Sequence, residues 1–353
     1  MNIIFNPPEN SENQYIHLMI SPLQKAGFNI YPLDNFLSSY RHIQQIQLVH
    51  LNWFENIDDS SFFVALKSFF RKLVALIAIK LSRKPLVWTM HNRASHEKGL
   101  SFFSRSITYL LMRWANKIIV HSHISIELLK KRSMRIAAKA VYLPHPNFIQ
   151  VYGPALAPTA TKGKRLRLLF IGAVKPYKNI ELLLTLAQAY EKEVQLTVAG
   201  KPVTSGYQQT LEQMAAQSTN INLQLRFIHD QELPLLLSEA DALVLPYDLA
   251  SSLNSGTVFL AFSYKKTVIC PNIGTIMDLK EEKAYVLAYD YETPTQHAFQ
   301  LSEQIETAIR LKAEQPAIFE QWGEHLFQYV AKTHAPEQIE QQLIEIYKQL
   351  IKQ

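Results

Sequence analysis

The sequence has almost no cysteine. Cys270 is the single one in 353 residues, so an intrachain disulfide is excluded and a reducing compartment is indicated. Its neighbours in TVIC predict a small side chain buried in a strand. The fold must be stabilised by packing, and hydrophobic residues, at 48% of the chain, supply enough material for full cores.

Long apolar runs are also missing. The longest uncharged one is Leu73–Ile79, seven residues, whereas a membrane-spanning helix needs about twenty. The first residues, MNIIFNPPEN, lack the basic start and apolar run of a signal peptide. We therefore expect a cytoplasmic protein, either soluble or peripheral on the inner face of the membrane.

Acidic residues are scarce in the first half of the chain. Residues 1–167 hold 22 Lys and Arg against 8 Asp and Glu, a net +14, and residues 168–353 hold 14 against 22, a net −8, which sum to +6. A basic half suits nucleic acid, an anionic membrane surface or an anionic substrate. Since the sequence has no helix-turn-helix, zinc or aromatic-on-sheet signature, nucleic acid is the weakest of the three.

Short apolar strands alternate with helical patterns along most of the chain. This alternation predicts an α/β fold with parallel sheets. It stops at residues 144–164, whose Pro, Gly, Ala and Thr indicate a linker, and then restarts. We expect two doubly wound, Rossmann-like domains facing a cleft, at residues 1–150 and 165–315, followed by helices at 316–353. Ligands of such sheets bind at the carboxyl ends of the strands.

One loop in the second half is suited to an anion. The segment DALVLPYDLASSLNSGTVFLAFSYKKTVICP predicts a strand, a polar loop and a helix that begins at Ser255, Gly256 and Thr257. Free amides and the positive end of the helix dipole favour phosphate there. Ser252 and Asn254 could add hydrogen bonds. Serine and threonine are also ordinary helix caps, so this segment alone leaves both interpretations open.

A second loop carries two lysines. The segment FIGAVKPYKNIELLL predicts a strand, a turn and a helix, with Lys175 and Lys178 in the turn. Two ammonium groups suit a diphosphate, although lysine is also common in solvated turns.

These segments, taken in order, resemble a known family. FIGAVKPYKNIELLLTLA, LTVAGKP, FIHDQELPLLLSEADALVLPY and SGTVFLAFSYKKTVICP look like the donor-binding half of glycosyltransferase family 4, whose members have the GT-B architecture. The first half agrees, with LVWTMHN, KIIVHSHISIELL and VYLPHPN in the family's order. The resemblance covers most of the chain. It implies an acceptor-binding first domain, a nucleotide-sugar-binding second domain, and a final helix that crosses back to the first.

The resemblance assigns the donor diphosphate to Lys178 and to the helix start at Ser255. Lys175 would replace a family arginine whose position is occupied by Ala173, and Ile228 would lie near the base. The donor is expected to be UDP- or GDP-linked. No cofactor is expected, because lysines and helix amides neutralise the leaving diphosphate in this architecture.

The family's paired glutamates are missing. Their positions align with Ser252 and Leu260, which indicates a branch like the exopolysaccharide-type transferases, where the Ser-Gly-Thr group carries more of the diphosphate binding. The family implies retention of the anomeric configuration, but this loss leaves the outcome open.

The resemblance places His91 near the transferred sugar. A neutral imidazole there could bond a sugar hydroxyl or assist a proton transfer, whereas the alternative is a strand-end histidine bonded within the protein. Acceptor contacts are expected from Asn13, Gln14, Tyr15, Asn92, His96 and Glu97. For the first three, capping of a helix is an equal alternative. The histidine spacings favour no metal site.

Residues 61–84 mix many apolar residues with six cations and no acid. From Ser61 to Lys139 there are 16 Lys and Arg against two Glu. A basic amphipathic helix of this kind binds anionic membranes, although an ordinary helix over a sheet could also carry a basic outer face.

Together these features predict a metal-independent, retaining hexosyltransferase of glycan biosynthesis. It would move a sugar from a nucleotide diphosphate to a saccharide acceptor linked to a lipid such as a polyprenyl diphosphate. The alternative is a non-catalytic subunit of the same fold that binds a nucleotide sugar or stabilises a partner transferase, and the missing glutamates motivate it.

Overall fold

A computed structural model describes residues 1–10, 14–58, 61–92, 101–158 and 165–352. It divides into two compact units. Unit 1 comprises Met1–Pro146 and Ala335–Gln353, and unit 2 comprises Asn147–His334.

Each unit is built on a parallel sheet of six described strands. Those of unit 1 are β1 (Asn2–Asn6), β2 (Asn29–Tyr31), β3 (Leu48–Asn52), β4 (Leu86–Met90), β5 (Lys117–Val120) and β6 (Ala140–Tyr142). Those of unit 2 are β7 (Leu166–Ile171), β8 (Val194–Ala199), β9 (Ile221–Gln224), β10 (Ala242–Val244), β11 (Thr267–Pro271) and β12 (Leu287–Tyr289). The central strands β3, β4 and β11 are buried at every residue, as expected for sheets covered on both faces.

Helices follow the strands. In chain order they are α1 (Tyr15–Lys25), α2 (Tyr40–Gln45), α3 (Phe62–Leu81), α4 (Ser101–Trp114), α5 (His123–Arg132), α6 (Met134–Ala137), α7 (Ile180–Ala189), α8 (Ser205–Ala215), α9 (Leu233–Glu239), α10 (Gly256–Ser263), α11 (Gly274–Met277), α12 (Pro294–Glu314), α13 (Ile318–Thr333) and α14 (Pro336–Ile351). The strand order is β2-β1-β3-β4-β5-β6 in unit 1 and β9-β8-β7-β10-β11-β12 in unit 2. The second is the order of a dinucleotide-binding sheet, and both confirm the predicted doubly wound α/β class.

The last helix belongs to unit 1. On α14, Ile339, Leu343 and Tyr347 are buried in one hydrophobic cluster with residues of α1, β1 and β3. The Tyr347 hydroxyl also bonds Nδ1 of His50 on β3. Since α13 ends unit 2 and α14 packs in unit 1, the chain returns to the first unit at its end.

The segment 144–164 lacks regular secondary structure where it is described, but its early residues are not a free linker. The Phe148 amide donates to Oγ of Ser263, 2.8 Å away. The Tyr264 hydroxyl accepts from the Tyr152 amide at 3.1 Å and donates to the Gly153 carbonyl at 2.9 Å. Aperiodic composition predicted the absence of helix and strand, but it could not reveal this packing against the end of α10.

No helix in the described part of the chain has the length and hydropathy needed to span a membrane.

Candidate active site

The carboxyl ends of β7 and β10 lie side by side at the point where the strand order of unit 2 reverses. Such switch points are where doubly wound sheets bind ligands. Two loops meet there, residues 172–179 after β7 and residues 245–255 after β10. Asn179, with a left-handed φ of 52°, donates its side-chain amide to the Pro246 carbonyl at 2.8 Å, which ties the loops together.

Lys178 is held over an aromatic ring at this junction. Its Nζ lies 3.7 Å from the ring centroid of Tyr247 and 5.1 Å from that of Tyr177. Burial lowers the pKa of Lys178 to about 7, nearby Cys270 acts in the opposite direction, and the charge of Lys175 lowers it further. A nearby anion raises the pKa of a buried lysine, so an anion bound here would keep Lys178 protonated.

Cys270 is fully buried on β11, as the sequence predicted. Burial raises the pKa of its thiol, so it is a neutral packing residue.

The start of α10 faces the same group of side chains. The Tyr247 hydroxyl lies 3.0 Å from Oγ of Ser255, and the Ser255 amide donates to Oγ1 of Thr275 at 3.0 Å. Because Ser255 directs its side chain to Tyr247, it does not cap the helix that follows it. The first amides of α10 therefore keep the donor character that an anion would use.

The remaining predicted donor residues surround this helix start. Ser252 is 7% exposed, and its hydroxyl oxygen is buried with no hydrogen-bond partner among the described residues. Asn254, Gly256 and Thr257 are half-buried, and a Cβ on Gly172 at the end of β7 would lie 4.0 Å from Oγ1 of Thr257. The structure thus brings the end of β7 and the start of α10 together.

Two further predicted residues are half-buried. Lys175 begins the short turn that contains Lys178 and accepts the Lys178 amide on its carbonyl at 2.9 Å. Ile228 lies between β9 and α9. Leu260, at one of the two positions aligned with the family glutamates, is buried within α10.

In unit 1, His91 follows β4 and is 8% exposed. Its Nε2 lies 3.1 Å from Oδ1 of Asn52. Since a carbonyl oxygen can only accept, Nε2 carries the proton and donates this bond, and the lone pair of the neutral ring is on Nδ1. The indole of Trp53 stacks on the imidazole, with centroids 4.2 Å apart and planes at 18°. Burial, together with the nearby His121, His145 and His50, keeps the pKa of His91 well below its usual range. The ring is therefore a neutral imidazole.

Tyr15 is a core residue in this structure, only 1% exposed. Its hydroxyl bonds Nε2 of His121 at 2.9 Å, and Nδ1 of His121 donates to the Leu143 carbonyl at 2.8 Å. Its ring contacts His91 edge-on, with centroids 5.2 Å apart. Tyr15 thus supports the histidine, and a direct contact with an acceptor stays a prediction that this position does not favour.

The other predicted acceptor residues are only partly described. Gln14, which precedes α1, and Asn92, which follows His91, are half-buried. Asn13, His96 and Glu97 lie outside the described residues.

Sequence reasoning missed Trp53, Asn52 and Tyr247. Trp53 takes a φ of 48°, a conformation that large residues seldom adopt and that no local signal predicted. Asn52 ends β3 and Tyr247 follows β10, so both lie near the carboxyl ends of strands, where doubly wound sheets bind ligands. Among the described residues, no three His, Cys, Asp or Glu side chains are grouped as a metal site requires.

Comparison with known proteins bears on the family and on the fold. Residues 156–321 match the profile of the family described as Glycosyl transferases group 1. Two proteins of Xanthomonas campestris pv. campestris, both named GDP-mannose:glycolipid 4-beta-D-mannosyltransferase, are 28% identical over 204 residues and 27% identical over 245 residues. The matches cover 56% and 67% of this chain, but only 52% and 64% of those relatives.

Solved structures match over nearly the whole chain. HepE of Anabaena in complex with UDP and glucose is 15% identical, covers 98% of this chain and 99% of its own, and has a TM-score of 0.69. WaaG, a glycosyltransferase involved in lipopolysaccharide biosynthesis, is 12% identical, covers 96% of this chain and 98% of its own, and has a TM-score of 0.62. At these identities the likeness shows the fold. The chain therefore has the GT-B fold, and residues 156–321, somewhat less than half of it, match the glycosyl transferases group 1 family.

Proposed function

We propose that the protein transfers a sugar from a nucleoside diphosphate donor to a saccharide acceptor in glycan biosynthesis. The observation that carries this proposal is the ammonium of Lys178, held 3.7 Å above Tyr247 beside the uncapped start of α10. A partly desolvated cation next to free helix amides is suited to the diphosphate that leaves when the glycosidic bond breaks. The match of residues 156–321 to the transferase family supports it.

In this proposal unit 2 binds the donor. Lys175 and Lys178 hold the diphosphate, and the amides and side chains that begin α10 complete its binding. The buried Ser252 hydroxyl supplies a further donor, since it has no hydrogen-bond partner among the described residues. Ile228 and its neighbours contact the base. No metal or cofactor takes part, because lysines and helix amides carry the charge of the leaving group.

The donor is UDP- or GDP-linked. The two mannosyltransferases that the chain resembles are named for GDP-mannose, whereas the Anabaena structures hold UDP, glucose and UDP-glucose. The mannosyltransferases are 27–28% identical to this chain and HepE 14–16%, which favours GDP-mannose as the first donor to test.

Unit 1 binds the acceptor. His91 is proposed as the catalytic residue on the sugar side, where a neutral imidazole accepts a hydrogen bond or a proton from a sugar hydroxyl. Gln14, Asn92, Asn13, His96 and Glu97 are proposed acceptor contacts. The acceptor is a lipid-linked saccharide, a proposal supported by the word glycolipid in the names of the two relatives.

The anomeric outcome is a separate proposal. The resemblance to family 4 implies retention. The two relatives are named for a beta linkage, and a beta product from an alpha-linked sugar diphosphate requires inversion. The one-bond C1–H1 coupling of the transferred sugar, measured by NMR on the intact product glycoside, distinguishes the two outcomes.

We also propose that unit 1 lies on the inner face of the membrane. The outer side of α3 exposes Phe63, Phe70, Val74, Ile77 and Leu81, which recur at helical spacing along one face. We call this face the α3 stripe. Exposed apolar residues in such a row, with lysines and arginines beside them, are typical of a helix in an anionic membrane interface.

The second candidate function is a non-catalytic subunit. Ser252 and Leu260 occupy the positions aligned with the family's paired glutamates, and neither side chain is acidic. Such a protein would bind a nucleotide sugar without transferring it.

A thermal-shift screen of UDP, GDP and ADP and of their sugars tests donor binding, because a bound ligand raises apparent stability. We expect one base to raise the Tm, and Lys178→Ala to remove that shift. Release of the nucleoside diphosphate upon addition of acceptor then separates enzyme from subunit. A Tm shift without turnover, whichever acceptor is added, supports the non-catalytic subunit. No Tm shift with any nucleotide contradicts both candidate functions.

A further inference from the structure

Unit 1 has a groove at the amino end of β4, whereas His91 lies at the carboxyl end of the same strand. The groove has a volume of about 480 Å³ and lies where β4 begins and where α3, α4 and α14 end. Its floor is apolar and includes Leu76, Leu86 and Leu350, with Trp114 beside them. The space equals that of about sixteen water molecules at ~30 Å³ each.

The rim of the groove is basic. Lys80, Arg83 and Lys84 line it, and none of the described lining residues is acidic. Lys84 already donates to the Gln44 carbonyl at 3.2 Å. Lys80 and Arg83 are exposed, and neither takes part in the ion pairs found in the described chain.

Positive charge is concentrated around this edge of unit 1. Lys139 donates to the carbonyls of Met112 and Arg113 at the end of α4. Burial lowers the pKa of Lys139, and the charges of Arg135, Lys80 and Arg113 lower it further. Cations near helix C-termini are common, but cations that repel one another favour an anion that would relieve the repulsion.

The groove lies beside the end of the α3 stripe. Leu81, the last residue of the stripe, is 77% exposed and follows Lys80 directly. The 20 residues of α3 span about 30 Å, so a membrane surface along the stripe reaches the groove at one end. An apolar floor with a cationic rim matches a molecule that has both an acyl chain and a phosphate.

We propose that this groove binds a single anionic phospholipid, with its phosphate on Lys80 and Arg83 and an acyl chain over Leu76, Leu86 and Trp114. A free phosphate would leave the apolar floor unused, and a neutral lipid would leave the rim cations without an anion. The proposal rests on the membrane contact proposed above, and it adds a specific lipid to that contact.

Quenching of Trp114 by lipid with brominated acyl chains tests the groove directly. The full chain is mixed with phosphatidylcholine vesicles that contain brominated phosphatidylglycerol, and the signal of Trp114 is obtained as the difference from Trp114→Phe. We expect quenching of Trp114 at low lipid, and at least tenfold weaker quenching for the double variant Lys80→Gln, Arg83→Gln. The matched control is Lys131→Gln, Arg132→Gln, which removes the same charge from exposed positions on α5 and should keep the quenching.

Two results would overturn the proposal. One is no quenching of Trp114 while the protein is bound to vesicles, and the other is equal quenching by brominated phosphatidylcholine. A short-chain brominated phosphatidylglycerol below its micelle concentration separates the groove from the membrane contact. Quenching by this monomer without any vesicle binding supports the groove and contradicts the α3 stripe as a membrane surface.

Discussion

At the residue scale, the candidate site depends on how single side chains are desolvated. Lys178 sits over the face of Tyr247, and burial brings its pKa to about 7. His91 is held neutral by burial and by neighbouring histidines, and Asn52 fixes its tautomer. Lys178 is thus suited to bind a diphosphate, and His91 is suited to bind a sugar hydroxyl.

The pKa of Lys178 predicts that donor binding depends on pH. Below about pH 7 the ammonium is present before the donor arrives, whereas above it each binding event must take up a proton. We expect the Kd for GDP-mannose to rise as pH increases from 7 to 9, by up to about tenfold per pH unit. Calorimetry in two buffers of different ionisation enthalpy measures both the affinity and the proton uptake.

Lys178→Arg is the matched variant for this prediction. Its guanidinium stays charged over the whole range, so its affinity should be independent of pH. A wild-type Kd that does not change between pH 7 and 9 would contradict the account in which a diphosphate binds a Lys178 whose pKa is lowered to about 7.

Some residues of the candidate site could be predicted from the sequence, and others could not. Lys175 and Lys178 were identified because lysines in a strand-to-helix turn form a local pattern. Trp53 was not, since no local signal indicates its φ of 48°, and His91, on which its ring stacks, is 38 positions further along the chain. The acceptor contact of Tyr15 stays a prediction. The packing of Tyr15 among three distant strand-end histidines could not be predicted, because no local pattern encodes it.

At the scale of elements, the ends of neighbouring strands set the shape of the donor loops. Gly200, just after β8, has a φ of +152°, and a Cβ on it would lie 1.8 Å from the carbonyl oxygen of Gly172, just after β7. Only glycine lets the two strands end so close together. The Gly172 backbone then leads directly into the turn that holds Lys175 and Lys178.

Gly200→Ala should therefore disturb the donor loop. The added methyl group must push the Gly172 carbonyl away, and we expect unit 2 to lose about 2 kcal/mol or more of unfolding free energy. Donor affinity should fall as well, because the turn that carries Lys178 moves. Urea unfolding and donor titration measure the two effects. Gly206→Ala, where a Cβ meets nothing within 4 Å, is the control. It should leave donor affinity unchanged and should not lower the unfolding free energy.

The alternation of strands and helices was predictable at this scale because buried parallel strands are short continuous apolar runs. The packing of residues 147–153 against the end of α10 was not, because it depends on single hydrogen bonds to Ser263 and Tyr264.

At the scale of the whole molecule, unit 1 depends on histidines buried without charge. Burial, with a contribution from His121, lowers the pKa of His50 to about 3. The ring of His50 bonds Thr89 on β4 and Tyr347 on the last helix, α14. Its pKa in the unfolded chain is about 6.5. Between these values only the unfolded chain takes up the proton, so the stabilisation present above pH 6.5 is lost as pH falls toward 3.

We therefore expect the unfolding free energy of unit 1 to fall on acidification from pH 6.5 to 4, by at most about 1.4 kcal/mol per pH unit for each such histidine. Urea unfolding at several pH values measures this slope. His50→Gln should be less stable at pH 7 but lose stability less steeply, while the same change at the exposed His17 should keep the wild-type slope. A wild-type stability that is constant over this range would contradict the assignment of buried neutral histidines.

Charge is distributed unevenly between the two halves of the chain. The basic half of the sequence carries the α3 stripe and the cations of the groove, whereas the acidic half carries the candidate donor site. Binding of an anionic donor there must come from Lys175, Lys178 and backbone amides, because the net charge opposes it. The total of +6 alone could not have indicated this division.

The central claim is that the protein transfers a sugar and that Lys178 serves the leaving diphosphate. The most direct measurement is the transfer of radiolabelled mannose from GDP-mannose to a polyprenyl-diphosphate-linked saccharide, with GDP release followed in parallel. The account predicts acceptor-dependent transfer that falls by about a hundredfold or more in Lys178→Ala, as expected for loss of a group that stabilises a leaving anion. Equal transfer by wild type and Lys178→Ala, with any nucleotide sugar that the protein accepts, would contradict it.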